Sequence, residues 1–501
     1  MQLHHHFIKS YKANPQQICV YDQATGKDLT YKQVLQASLL VMDSIPSHDR
    51  FYIGIMLPTS AACLISILAV LMKGRVPVMI NYSTGAQNNC LFAREKCGFE
   101  IILTTGKLLE KLGIQKDEHM ILIEDLIKNA KVLSKVKVGL KSLKPDKFVY
   151  KGEDTDNSIV LFTSGSEKDP KAVPLSHKNI TSNVEGLRER IDFNETDVFM
   201  AVLPNFHIYG LTTSLWLPII CGSSIVTQAN PLEYETIAKN IKKYRATVLT
   251  ATPTFFHGYN QKSEVGDFST LRIAIAGGDK LTPIIRDSFF KKHGSEICEG
   301  YGTTETSPVI SFNSPGMNKP GSVGKPLFNA KVKIVDLESE EKLGPNRIGK
   351  IYVKGDLVMN GYLGDYEESS IRIHAGWYDT GDMGLIDNDG FLWHKGRLKR
   401  FVKIGGEMVS LVAIEDKLES LLDEDTKCCL VDIPHPVRGN EIVAVISGDF
   451  EEKKIKNELK KMVAPISMPK HFVKIEEMPL MANGKVNFRD VQKSCHKIFF
   501  K

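Results

Sequence analysis

Residues 161–177 read LFTSGSEKDPKAVPLSH. An apolar run ends in Thr163, Ser164, Gly165 and Ser166, and two acids, two lysines and a proline follow before apolar residues resume. Hydroxyls and backbone N–H groups at the end of a strand can ring an anion, and Lys171 adds a point charge suited to phosphate. A charged surface turn has the same composition. The stretch is not a Walker loop, because G-x-x-x-x-G-K-[ST] is absent.

Outward from this stretch, short β-branched runs alternate with helical patterns: FYIGIML from 51, RVPVMI from 75, IILTT from 101, SIVLFTSG from 158, DVFMAVLP from 197, SIVTQ from 224, ATVLTATP from 246 and LRIAIAGG from 271. Strands separated by helices argue for parallel sheets in an α/β fold, with ligands beyond the carboxyl ends of the strands. After Lys331 the pattern becomes antiparallel, with AKVKIVD, IGKIYVKG and GLIDNDGFLWHKG forming a small β subdomain. Beyond Arg400, a hairpin, a helix, a strand pair and a second helix make a compact α+β unit. The expectation is an α/β N-terminal domain of two mostly parallel sheets over residues 1–397, and a small mobile α+β domain over 398–501.

Length and composition agree with this division. At 501 residues the chain exceeds the roughly 250–300 residues at which single cores stop growing. Hydrophobic residues at 42% and charged residues at 25% mark a globular protein, not a disordered one. Nine scattered cysteines form no C-x-x-C pair, so neither a disulfide framework nor a zinc site is indicated and a reducing cytoplasm fits. The run AACLISILAVLM, Ala61 to Met72, is too short to span a bilayer and reads as a buried helix. His4, His5 and His6 are expected on an exposed terminus, and no secretory signal is expected.

The net charge of +5 does not call for nucleic acid. Its distribution is uneven: from Lys453 onward twelve Lys or Arg face four acids, and 131–151 holds seven lysines and one aspartate. Such stretches fit solvated faces or docking surfaces for an acidic partner, and they would equally attract anionic lipid, hence peripheral membrane contact, or the phosphates of CoA.

Further chemistry-bearing stretches follow in order. EGYGTTETSPV, 299–309, places Thr304 and Thr306 around Glu305, pairing a hydroxyl for phosphate with a carboxylate for Mg²⁺; the alternative is a helix cap. GWYDTGDMG puts Asp379 and Asp382 in a Gly-flanked turn, where a carboxylate can accept both ribose hydroxyls or make an Asx turn. GRLKRFVKIGGEMVS alternates cations with glycines, and MANGKVNFR carries Lys485 on an Asn-Gly turn.

Together with NFHIYG and AGGDKL, these stretches resemble, over nearly the whole chain, the adenylate-forming superfamily of acyl-CoA synthetases, firefly luciferase and peptide-synthetase adenylation domains. The resemblance implies that Thr163, Ser164, Gly165, Ser166 and Lys171 hold the β- and γ-phosphates of ATP. Gly277, Gly278 and Tyr301 would flank adenine, Thr304 would bond the α-phosphate and Glu305 would coordinate Mg²⁺. Asp382 and Arg397 would grip the ribose, and Lys485 would bridge the substrate carboxylate and the α-phosphate. Lys399 would be the hinge, His207 would gate the thiol tunnel, and Gly405 and Gly406 would line it. The loop departs from the family pattern at Lys168 and Ala172, where glycines are usual.

SGSE with Glu167, FHIYGLT, KPGSVGKP, VMNGYL and GRLKRFVKIGGEMVSL give the finer resemblance, to acyl-acyl carrier protein synthetases. It implies a fatty acid as substrate and holo acyl carrier protein as acceptor. Fatty acyl-CoA synthesis is the alternative, and a non-catalytic carrier- or nucleotide-binding relative is the reading from another class. Trp216, Thr252, Phe255 and Phe256 are candidates for an acyl pocket, as is His207 besides its part at the tunnel, and core packing is the alternative for the aromatic ones.

Overall fold

The computed structural model describes residues 1–46, 51–163, 170–404, 407–423, 426–435, 439–480 and 486–499. Within them the chain divides into two compact units: 1–163, 170–332 and 353–378 in the first, 333–352 and 379–499 in the second.

The first unit holds the two sheets expected. One has nine strands. Its centre is parallel: Ile18–Asp22 beside Ser224–Thr227, then Val198–Ala201, Val248–Ala251, Ile273–Ala276 and Ile297–Gly302. The antiparallel strands Lys27–Thr30, Val309–Phe312 and Lys325–Pro326 complete its edges. The other has six strands, parallel except for the edge pair Asn157–Phe162 and Ala172–Ser176. Parallel strands are covered on both faces and so are written as continuous apolar runs, and all eight runs read from the sequence are strands. The Ala61–Met72 helix is buried almost all round; the Ser60 hydroxyl caps it at 3.3 Å from Cys63 N, and Asp22 Oδ1 accepts Ala61 N–H at 3.0 Å.

A five-stranded sheet includes Lys331–Val335, Gly349–Lys354, Trp377–Ile386 and Leu392–Arg397, and its strands supply residues to both units. The rest of the second unit is the expected α+β body: the hairpin Phe401–Ile404 with Glu407–Ser410, the helix Leu411–Glu419, the paired strands Lys427–His435 and Gly439–Ser447, and the helix Glu452–Met462. Leu411, Ile414, Leu418, Leu430, Ile446 and Leu459 lie at its core.

The histidine run departs from expectation. Residues 3–13 form a helix whose Leu3, His4, Phe7 and Ile8 share one buried face, so His4 enters the interior instead of an exposed terminus. His4 Nε2 lies 3.0 Å from Tyr150 O, and Leu3 N–H donates to His177 Nδ1 at 3.1 Å. The His177 nitrogen accepts and must carry no proton. Burial is the main cause that pushes His4 down to about 4 and His177 further still.

A pH dependence follows. An unfolded histidine titrates near 6.5, so below that pH the unfolded chain binds protons that native His4 and His177 refuse. Stability is therefore full above the unfolded value and falls as pH drops from about 6.5 towards 4, by about 1.4 kcal/mol per pH unit for each histidine. Urea midpoints measured across that window should decline, and His177→Gln, which keeps an acceptor for Leu3, should flatten the slope. A flat wild-type profile contradicts the assignment.

Candidate active site

In the first unit, the six-stranded sheet's edge pair closes directly beneath the opening stretch. Thr163 N–H donates to Lys171 O at 3.0 Å, and Lys171 N–H donates to Thr163 Oγ1 at 3.1 Å. Ser164, Gly165, Ser166 and Lys168 lie outside the described residues. Ala172 pairs with Phe162 in regular strand, is buried and has no positive φ, so alanine costs nothing there in backbone strain.

Lys171 does not stand free. Its ammonium pairs with Glu368 and lies 4.9 Å from the centre of the Tyr362 ring. Tyr362 OH donates to Glu305 Oε1 at 2.8 Å, and Arg372 Nε donates to Glu368 at 3.0 Å. Arg372, Glu368, Lys171, Tyr362 and Glu305 thus form one connected row. Burial pushes the Glu368 carboxyl up, but Lys171 and Arg372 more than offset this and hold it below the usual range. Burial, then the neighbouring Glu305 charge, pushes the Tyr362 hydroxyl well up, so it remains the donor. Leu363 N–H donates to Ala172 O at 2.9 Å, which fixes the Tyr362 segment against the strand carrying Lys171.

Glu305 is 8% exposed and sits in the 3₁₀ turn Thr304–Thr306 that follows the strand Ile297–Gly302. Gly302 is required there: a Cβ would fall 1.8 Å from Pro308 O. The cap expected as an alternative is real but belongs to Thr303 and Thr306, whose hydroxyl and backbone groups satisfy each other and Pro308 O. Thr304 is half-buried and its hydroxyl makes no hydrogen bond among the described residues. Of the three threonines, it is the one left for a ligand.

Gly277 and Gly278 follow the strand Ile273–Ala276, at its carboxyl end. A Cβ on Gly277 would lie 3.0 Å from the Tyr209 ring, and Gly278 has φ +82°. Tyr301 is in the strand with Gly302 and pairs with Ser311. His207 precedes the helical segment 208–221, its ring 4.8 Å from that of Phe206. That segment contains a π-helical stretch, Leu211–Trp216, and Thr212 donates to Ser307 O at 2.9 Å, linking it to the Glu305 turn. Trp216 and Phe256 are fully buried, Phe256 among Tyr259, Phe268 and Phe289; Phe256 belongs to the core. Thr252 caps the helix Pro253–Lys262, and Phe255 is buried at its first turn.

In the second unit, Asp379 and Asp382 lie along a ten-residue strand, Trp377–Ile386, rather than in a free turn. Asp379 still makes an Asx-type bond, accepting Gly381 N–H at 2.9 Å. Asp382 is almost fully buried and is paired across the ladder with Arg397, Oδ1 to Nε 2.9 Å. Arg397 also donates to Thr380 O at 3.1 Å, yet its side chain is 62% exposed. Lys399 is exposed in the 3₁₀ turn Leu398–Arg400. Gly405, Gly406 and Lys485 lie outside the described residues.

Three features went unread in the sequence. Glu368 and Arg372 sit on the short helix Tyr366–Arg372, almost two hundred positions beyond Lys171, and no local pattern marks them. Tyr362 lies in the quoted VMNGYL but was assigned no role. Arg400, beside the expected hinge, is buried against Glu415, donates to Leu430 O at 2.9 Å and stacks on Phe488 at 4.1 Å.

A model of the AMP-binding enzyme family matches residues 7–363. The chain is similar to an oxalate–CoA ligase of Arabidopsis thaliana, 31% identical over 350 residues and covering 67% of each chain. It is also similar to a long-chain-fatty-acid–CoA ligase of Bacillus subtilis (strain 168), 27% identical over 512 residues that cover 92% of this chain and 89% of that one. Among solved structures, ATP-bound MatB from Rhodopseudomonas palustris has the same fold, with a TM-score of 0.86 at 22% identity over 100% of both chains.

Proposed function

The chain belongs to the AMP-binding enzyme family, and from that premise we propose that it is an AMP-forming ligase that activates a fatty acid and transfers the acyl group to the phosphopantetheine thiol of an acyl carrier protein. The observation that carries the activation step is the row Lys171, Tyr362, Glu305, with the unbonded Thr304 hydroxyl beside it. A cation from one stretch of chain, and a buried carboxylate with its neighbouring hydroxyl from another, come together in one unit, a set suited to holding a polyphosphate.

In this reading Thr163, Ser164, Gly165, Ser166 and Lys171 hold the β- and γ-phosphates of ATP, and Thr304 bonds the α-phosphate. Gly277, Gly278 and Tyr301 flank the adenine, and Asp382 with Arg397 binds the ribose. No three His, Cys, Asp or Glu side chains cluster among the described residues. Glu305, a single buried carboxylate next to the unbonded Thr304, fits Mg²⁺, which takes one or two carboxylates and completes its shell with phosphate oxygens and water. When bound, the ion neutralises phosphate charge.

Lys485 holds the fatty carboxylate and the α-phosphate together, so that a carboxylate oxygen attacks phosphorus and pyrophosphate leaves. The thiol sulfur, as thiolate, then attacks the acyl carbon and AMP leaves with the bonding pair. In this reading the boundary expected from the sequence at 397/398, with Lys399 as its hinge, would let 398–501 serve the two steps in turn, with Gly405 and Gly406 assigned to the thiol tunnel and His207 to its gate.

Carrier protein as acceptor rests on charge. On the helix Glu452–Met462, Ile455 and Leu459 face inward, while Lys453, Lys454 and Lys460 are exposed and make no ion pair among the described residues. Such a face steers an acidic partner. Free CoA is the second reading, favoured by the names of both sequence relatives.

Fatty-acid-dependent pyrophosphate release with ATP and Mg²⁺ is expected, and none at any chain length overturns the ligase. Offered side by side, holo carrier protein should show the higher kcat/KM, declining with salt. Charge reversal at Lys453, Lys454 and Lys460 should raise its KM and spare CoA. Equal or better turnover with CoA assigns CoA instead.

A further inference from the structure

The helix Val132–Leu143 carries a second, unrelated feature. Its inner face is settled. Val138 and Ser142 are buried, Tyr11 OH donates to Ser142 O at 3.0 Å, and Lys141 reaches both Asp43 oxygens at 2.7 Å. The outer face is apolar and open. Val132 is 78% exposed, Leu133 79%, Val136 54%, Leu140 65% and Leu143 74%.

At about 100° per residue those five side chains fall within an arc of about 100° opposite Val138 and Ser142. Soluble surfaces scatter such residues singly; a contiguous apolar stripe marks a contact. Lysines flank the stripe. Lys135 lies along one side of it and Lys137 along the other, while Lys131 and Lys144 stand at the N-cap and C-cap of the helix. All four are exposed and make no ion pair among the described residues.

We propose that this helix is a membrane-surface anchor that docks on a bilayer containing anionic phospholipid. An apolar crest on a convex helix, with cations on both flanks, matches a planar interface. The crest enters the acyl boundary while the lysine stems reach up to headgroup phosphates on either side. The stripe is too short and too charged at its edges to cross a bilayer, and no described helix is long and apolar enough to do so. The inference is independent of the acid and of the thiol acceptor, since the helix contributes none of the residues placed in the active site.

The test is co-sedimentation of the full chain with vesicles of phosphatidylcholine alone or with phosphatidylglycerol added. Wild type is expected to bind the anionic vesicles at least about tenfold better, as each lysine near such a surface contributes about fivefold. The variant Val132→Ser/Leu133→Ser/Leu140→Ser should lose most binding at an unchanged melting temperature, because these side chains are already exposed. Lys131→Ser/Lys135→Ser/Lys137→Ser should erase the preference for anionic vesicles. Pyrophosphate release with a water-soluble short-chain acid should be the same in all three proteins. No binding by wild type overturns the proposal, as does binding by the apolar variant equal to wild type. A concentration-dependent dimer that the apolar variant abolishes, without vesicle binding, assigns the stripe to a second copy of the chain and likewise overturns it.

Discussion

Glu305→Gln is expected to lower fatty-acid-dependent pyrophosphate release by about a hundredfold to a thousandfold, the equivalent of several kcal/mol of transition-state charge stabilisation from a correctly held metal. The substitution removes charge but little else. A glutamine oxygen still accepts from Tyr362 OH, and the backbone bond from Met359 N to the residue 305 carbonyl, 2.8 Å, is untouched. Melting temperature should stay within about 2 °C, as for substitutions that keep a site's hydrogen bonds. The loss should shrink as Mg²⁺ is raised. Tyr362→Phe is the internal control: it removes one hydrogen bond to the charged carboxylate, worth about 1.5–3 kcal/mol, and should cost about a hundredfold or less. Near wild-type activity of Glu305→Gln at every Mg²⁺ concentration would leave Glu305 a purely structural acid.

The second large effect is on stability. Arg400 and Glu415 are each only 15% exposed, and Glu415 also accepts Leu430 N–H at 2.6 Å. Arg400→Met strands that carboxylate in the core, and breaking a buried pair from one side costs about 3–5 kcal/mol. Amides of the strand Lys427–His435 should then exchange faster by about two to four orders of magnitude, at about 1.4 kcal/mol per factor of ten. Arg400→Met/Glu415→Leu should recover most of the loss, since an apolar pair replaces the charges without stranding either. A single variant within 1 kcal/mol of wild type, on the order of a neutral surface change, would show that water reaches the pair.

The sheets were legible because a strand covered on both faces has no polar alternation to blur it, and runs such as RVPVMI and LRIAIAGG admit little else. Thr163, Lys171, Thr304 and Glu305 were legible as types because their chemistry is concentrated in short loops. Their partners were not. Glu368 meets Lys171 through tertiary folding alone, and a carboxylate in DYEESS looks like any helix-start acid. Which threonine of GTTET was committed to the cap and which remained unbonded depended on the turn closing at Pro308, something spacing does not specify. LHHHFI misled for a different reason: scored as polar, its histidines hid the 3, 4, 7, 8 apolar spacing that buries one of them.

That helix has a practical consequence at the bench. Three successive histidines look like a purification handle, but His4 is fully buried, and His4 and His5 both turn Nε2 to Tyr150 O, so the folded chain does not offer the three rings to an immobilised nickel ion. Unfolding releases all three from the helix. Retention on the resin would thus report how much of a preparation has lost its fold, and eluted material enriched this way would be the wrong fraction to assay.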